Sequence, residues 1–200
     1  MSKSLETLKK GLLTKNPLFC SGLVLSAAVF TSDSLKTALG AALCFTIITA
    51  FTALAVYFLP LVKTPYTVRI ILYILIASCV YVPASMLSSA IFPAETPKII
   101  VYLACICVNS LILERFDKRT LKKKSQKLLF IIASVVGFDV ALIIFSIIRE
   151  IIAYGSVYGK LVGLDTPLPI FGYVFGGLIL LGLFSGLFRY IIMISGVTER

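Results

Sequence analysis

The sequence predicts an all-α polytopic membrane protein: six transmembrane helices arranged as two inverted three-helix repeats, the first and fourth helices short or broken. Three observations predict it. Hydrophobic residues make up 59% of the 200-residue chain and charged residues 14%, with a mean hydropathy of +1.04, against about 45–50% and about 25% in ordinary globular domains. The apolar residues fall into six long runs rather than into the alternations of a soluble protein. Finally, the basic residues concentrate in alternate connections between those runs.

The runs lie at roughly 17–31, 35–61, 68–92, 97–113, 127–153 and 168–195. A hydrocarbon core of about 30 Å takes roughly 20 helical residues to cross. The second, third, fifth and sixth runs are long enough. The first stops at Thr31-Ser32-Asp33-Ser34, and the fourth is interrupted by Asn109-Ser110. Polar breaks at membrane depth are tolerated only where the chain is buried in protein or lines a cavity. Short helices at matching places in two halves are the mark of an inverted repeat with a site near the midplane. One domain over 1–200 is therefore expected, with repeats at 1–96 and 97–200. The amphipathic start MSKSLETLKKGLLTK has no small-residue cleavage site behind it, so no removable signal peptide is read there.

Six crossings put both termini on one side. Of the 19 Lys and Arg residues, only Lys36, Lys98, Arg149 and Lys160 fall on the other side. The positive-inside rule then places both ends in the cytoplasm. The formal charge of +10, which in a soluble chain points to nucleic acid, is here topological. No nucleic-acid partner is expected, and the partner common to all six runs is the lipid bilayer.

Ionisable residues inside a membrane are functional candidates because each is costly unless paired or hydrated. Asp139, in VVGFDVALIIF near the middle of the fifth run, is the clearest. It reads as a cation or proton site, or as a structural acid bonded to a polar neighbour such as Asn109. Arg149-Glu150 closes the same run and reads as an interfacial ion pair. Gly155 and Gly159 after it suggest a tight reversal packed against another backbone, a structural corner. Glycines in GYVFGGLILLGLFSG read as close helix packing.

The five cysteines, Cys20, Cys44, Cys79, Cys105 and Cys107, all sit in apolar segments, which argues against a disulfide framework. With no histidine and no C-x-x-C pair, a zinc site of the soluble type is not expected. Cys105 and Cys107 face opposite sides of a helix and cannot readily share a metal. Cys20 with Cys107 is an alternative ligand pair across the repeat, whereas apolar filler is the commoner role of buried cysteine.

Several short stretches resemble the Rnf/Nqr membrane subunits, of the RnfE/NqrD type. They are Lys15-Asn16-Pro17, Ala38-Leu39-Gly40, Val68-Arg69-Ile70 and Val108-Asn109-Ser110. To these is added Arg149-Glu150-Ile151-Ile152 with Gly155 and Gly159, which is similar to the family's most specific signature. The resemblance implies an integral subunit of an ion-translocating oxidoreductase in a bacterial or archaeal cytoplasmic membrane, coupling electron transport to Na⁺ or H⁺ movement. It implies an inverted RnfA/NqrE-like partner and a [2Fe–2S] cluster shared between the two, held by two cysteines from each. Here the chain departs from the family. The position nine residues after Pro17 is Ser26, and the residue closing the fourth-helix motif is Ser110. Ser26, Asn109 and Ser110 thus mark the half-helix junction, the chain being a divergent relative without its own cluster ligands. The alternative function is a small six-helix transporter component, a substrate-binding membrane subunit, because interrupted helices and an intramembrane acid suit a binding cavity equally well.

Overall fold

The computed structural model of the chain describes residues 25–58, 65–107, 124–162 and 168–194. Among them are six α-helices: α1 (Leu25–Thr31), α2 (Leu35–Phe58), α3 (Tyr66–Ile91), α4 (Thr96–Cys107), α5 (Lys124–Tyr154) and α6 (Val174–Ile194). A two-residue hairpin, β1 (Ser156–Val157) with β2 (Lys160–Leu161), and a 3₁₀ turn, Pro169–Gly172, join α5 to α6. Among the described residues, four helical stretches are long and apolar enough to cross a membrane: Leu35–Ala55, Thr67–Ile91, Leu129–Tyr154 and Val174–Ile194. The described part of α1 begins at Leu25 and that of α4 ends at Cys107, so the expected short first and fourth helices lie partly outside the described residues.

Local chemistry sets the ends. Ser34 caps α2, its hydroxyl accepting from the Thr37 amide at 3.3 Å while its carbonyl takes the Ala38 amide, the usual role of serine at an N-cap. Pro93 follows Phe92 and stops α3, and Pro97 sits in the first turn of α4, where its missing N–H costs nothing. The sixth apolar run is not one helix: Pro169 holds its first residues in the 3₁₀ turn, and α6 begins only at Val174.

Helix α2 is central, packing against α3, α4 and α5. Phe45 and Ile48 from α2 meet Phe138, Leu142 and Phe145 from α5 in the core, with Phe45 and Phe138 rings 4.5 Å apart. The two helices run antiparallel in step: Leu35 meets Glu150 and Thr46 meets Asp139, eleven residues along each. α1 and α4 lie together, Phe30 of α1 stacking on Tyr102 of α4 at 4.3 Å. Lys98 pairs with Asp33 at 3.1 Å, and Thr37 donates to Glu95 at 3.0 Å. The α1–α2, α3–α4 and α5–α6 connections therefore gather at one end of the bundle.

Candidate functional site

Two polar centres lie on α5, one at its end and one near its middle. At the end, Arg149 is 1% exposed. Its Nε donates to the Phe171 carbonyl at 2.8 Å. Nη1 donates to the Val29 carbonyl and, at 2.8 Å, to the Ser32 hydroxyl. Nη2 donates to the carbonyls of Gly172 and Tyr173 at 3.0 and 3.1 Å. A guanidinium has five N–H groups, and here all five are used. Four go to backbone carbonyls at the end of α1 and in the 3₁₀ turn, groups that a helix end leaves without partners. The negative end of the α1 dipole adds to the attraction. Gly177 makes room: a Cβ there would lie 2.6 Å from Arg149 Cζ.

Glu150, equally buried, turns the other way. Oε2 accepts the Leu35 amide at 2.7 Å, the first free N–H of α2, and Oε1 accepts the Gly159 amide at 3.0 Å and the Ser156 hydroxyl at 3.3 Å. The expected ion pair of Arg149 with Glu150 is thus corrected. Neighbours on a helix point about 100° apart, and each of these side chains binds a different set of backbone groups. The expected tight reversal is there. Gly155 ends α5 at φ 62, and the hairpin turns through Tyr158 and Gly159 at φ 57 and 76, a pair of positive φ values of the primed hairpin type. Lys36 Nζ stands 5.0 Å over the Tyr158 ring.

The second centre is Asp139. Eleven residues below Glu150, it lies about 16 Å along the helix, close to halfway through a core of about 30 Å. The Thr46 hydroxyl donates to its Oδ2, whereas Oδ1 is buried with no hydrogen-bond partner among the described residues. Thr46 carried no signal in the sequence. Thr31, Thr49 and Thr52 donate to carbonyls four residues back in their own helices, and only the packing of α2 on α5 singles out Thr46.

Ser26 stands on α1, the helix whose far end Arg149 holds. Asn109, Ser110 and Cys20 lie outside the described residues, and Cys107 is the last described residue of α4. The glycine reading divides. A Cβ on Gly172 would strike the Tyr154 hydroxyl and one on Gly176 the Ile170 carbonyl, whereas Gly182 and Gly186 meet nothing within 4 Å among the described residues, so the close packing shown is at the start of α6 and in the turn before it. Among the described residues no three His, Cys, Asp or Glu side chains gather as a metal site.

Comparison with known proteins follows the same outline. Residues 4–195 match the family described as Rnf-Nqr subunit, membrane protein. The chain is 26% identical over 150 residues to the D subunit of the Na(+)-translocating NADH-quinone reductase of Pseudoalteromonas translucida, covering 74% of this chain and 70% of that one. It is 28% identical over 173 residues to the protein of the same name from Yersinia pestis, covering 85% and 81%. The Yersinia enterocolitica protein of that name is 26% identical over 162 residues, covering 79% and 76%.

Proposed function

Because the chain belongs to the Rnf-Nqr family of membrane subunits, we propose that it is an integral subunit of an ion-translocating oxidoreductase of the RnfE/NqrD type. The observation that carries this reading is the family match across residues 4–195. Relatives named for Na⁺-translocating NADH-quinone reductase support it. In this reading the chain is one domain of two inverted repeats, 1–96 and 97–200, beside an inverted RnfA/NqrE-like partner. It sits in a bacterial or archaeal cytoplasmic membrane with both termini inside. The contact of α1 with α4 supports that arrangement.

The [2Fe–2S] cluster that the family implies does not fit the donors present. Ser26 on α1 and Ser110 stand at the two family ligand positions, and a serine hydroxyl must lose a proton of far higher pKa than a thiol to bind iron. No electron-transfer step is assigned to these residues; in this reading Ser26, Asn109 and Ser110 mark the half-helix junction in the sequence. Asp139 is the candidate ion site. Its carboxylate and the Thr46 hydroxyl offer oxygen to a cation or proton at mid-membrane.

The test uses the assembled complex in inverted membrane vesicles. Deleting the chain is expected to abolish NADH-driven ion uptake, and Asp139→Asn to lower it at least tenfold with iron content unchanged. Uptake that survives deletion overturns the subunit assignment. Uptake that survives only the Asp139 substitution overturns the ion role alone.

A further inference from the structure

The connection from α5 to α6 does not rise away from the bundle. Arg149 and Glu150 lie about 15 and about 16 Å along α5 from Asp139, close to the edge of a hydrocarbon core whose half-thickness is about 15 Å. Hydrogen bonds tie the connection to that level. The Leu168 amide donates to the Ile152 carbonyl at 2.9 Å, and the Phe171, Gly172 and Tyr173 carbonyls accept from Arg149. The hairpin is drawn down as well, the Gly159 amide donating to Glu150 and the Val162 amide to the Gly155 carbonyl. Non-helical backbone tolerates such a depth only when its polar groups are bonded in this way.

The outward side chains are unlike those of a loop in water. Leu161 is 87% exposed, Tyr173 72% and Phe175 67%, and Val162, Leu168 and Ile170 are each more than half exposed. Tyr158, also exposed, carries Lys36 Nζ over its ring. The acids described at this end are engaged within the chain: Asp33 with Lys98, Glu95 with Thr37, and buried Glu150 with the Leu35 and Gly159 amides. Lys160, in contrast, is exposed at the tip of the hairpin, so the charge this surface presents is positive.

We propose that the α5–α6 connection is an interfacial anchor whose partner is phospholipid, anionic by preference. Its apolar side chains enter the boundary between headgroups and acyl chains of the nearer leaflet, and Lys160 meets a lipid phosphate. Depth and charge both select this occupant. Tyrosine, with an apolar ring and a polar tip, belongs at the level where hydrocarbon meets headgroup, and a lysine stem lies along apolar surface while its ammonium reaches the phosphate. An apolar face beside basic residues is the composition of segments that lie in the membrane interface. The anchor goes beyond the subunit assignment, and its geometry rests on α5 crossing the bilayer.

The full chain, purified with the subunits that accompany it and placed in nanodiscs of equal phosphatidylglycerol and phosphatidylcholine, tests this. A diazirine-bearing residue is placed at Leu161 or at Ile170, and its adducts are identified by mass spectrometry. Both positions are expected to insert into lipid, and Leu161 to favour phosphatidylglycerol by roughly threefold or more. Lys160→Gln is expected to bring that ratio to about one, while lipid insertion at Ile170 persists. The substitution changes only an exposed side chain, so the hairpin keeps its backbone pairing. Insertion into water alone, or into another polypeptide alone, at either position would overturn the anchor. Equal labelling of the two lipids by the parent chain, or a ratio unmoved by Lys160→Gln, would overturn the phosphate contact.

Discussion

Arg149 keeps a full positive charge inside the bundle by surrounding it with carbonyl dipoles in place of a carboxylate. Lysine cannot repeat this. One ammonium offers three N–H groups from a single point, whereas the guanidinium reaches from Val29 on one side to Tyr173 on the other. Arg149→Lys is therefore expected to cost about 3 kcal/mol or more, at about 1.5–3 kcal/mol for each charged hydrogen bond lost, seen as a fall in the detergent-solubilised melting temperature. Gly177→Ala tests the same contact from the other side. Its methyl must displace a guanidinium with nowhere to go, an overpacking cost of about 1–3 kcal/mol. The sequence marks Arg149 and Glu150 as unusual, because charge in an apolar run is visible at a glance. Their partners are not visible, since backbone carbonyls at residues 29 and 171–173 are the same in every sequence.

At the scale of elements, Glu150 fastens two of them: the start of α2 through Leu35 and the hairpin through Gly159. Glu150→Gln keeps one acceptor oxygen and turns the other into a donor, so either the Leu35 or the Gly159 amide loses its partner. The expected loss is about 1–3 kcal/mol, with that amide exchanging hydrogen faster than in the parent protein. Gly159→Ala strains the turn at φ 76 and should cost about 1–2 kcal/mol, with little change in the exchange of the α2 core amides. The helices themselves were legible from run lengths, and α2, α3 and α5 follow their runs closely. The start of the sixth run misled, because hydropathy cannot distinguish a 3₁₀ turn from a helix when both are apolar. Pro167 and Pro169 were the available warning.

Across the whole molecule, Lys36, Lys98, Arg149 and Lys160, the basic residues that the sequence sets apart, lie in or beside the connections that meet at one end of the bundle. The sequence groups the same four residues by charge alone. The pairing of α2 with α5, and with it the Thr46–Asp139 contact, was not legible there, because equally greasy helices carry no label for which neighbour they meet. If both termini face the cytoplasm, Lys160→Cys in intact cells reacts with a membrane-impermeant maleimide and Lys122→Cys reacts only after permeabilisation. The reverse pattern would turn the chain over in the membrane.

The Arg149 clamp also imposes a timetable. Val29 is made 120 residues before the arginine that binds its carbonyl, and at about 5–20 residues per second that interval is about 6–24 s. Throughout it the nascent α1 lacks the guanidinium that closes its last turn, and the second half of the chain must arrive before the first can settle. Translation stalled just short of Arg149 would thus leave a product whose opening segment is exposed to quality-control proteases, whereas a stall after Tyr173 would not.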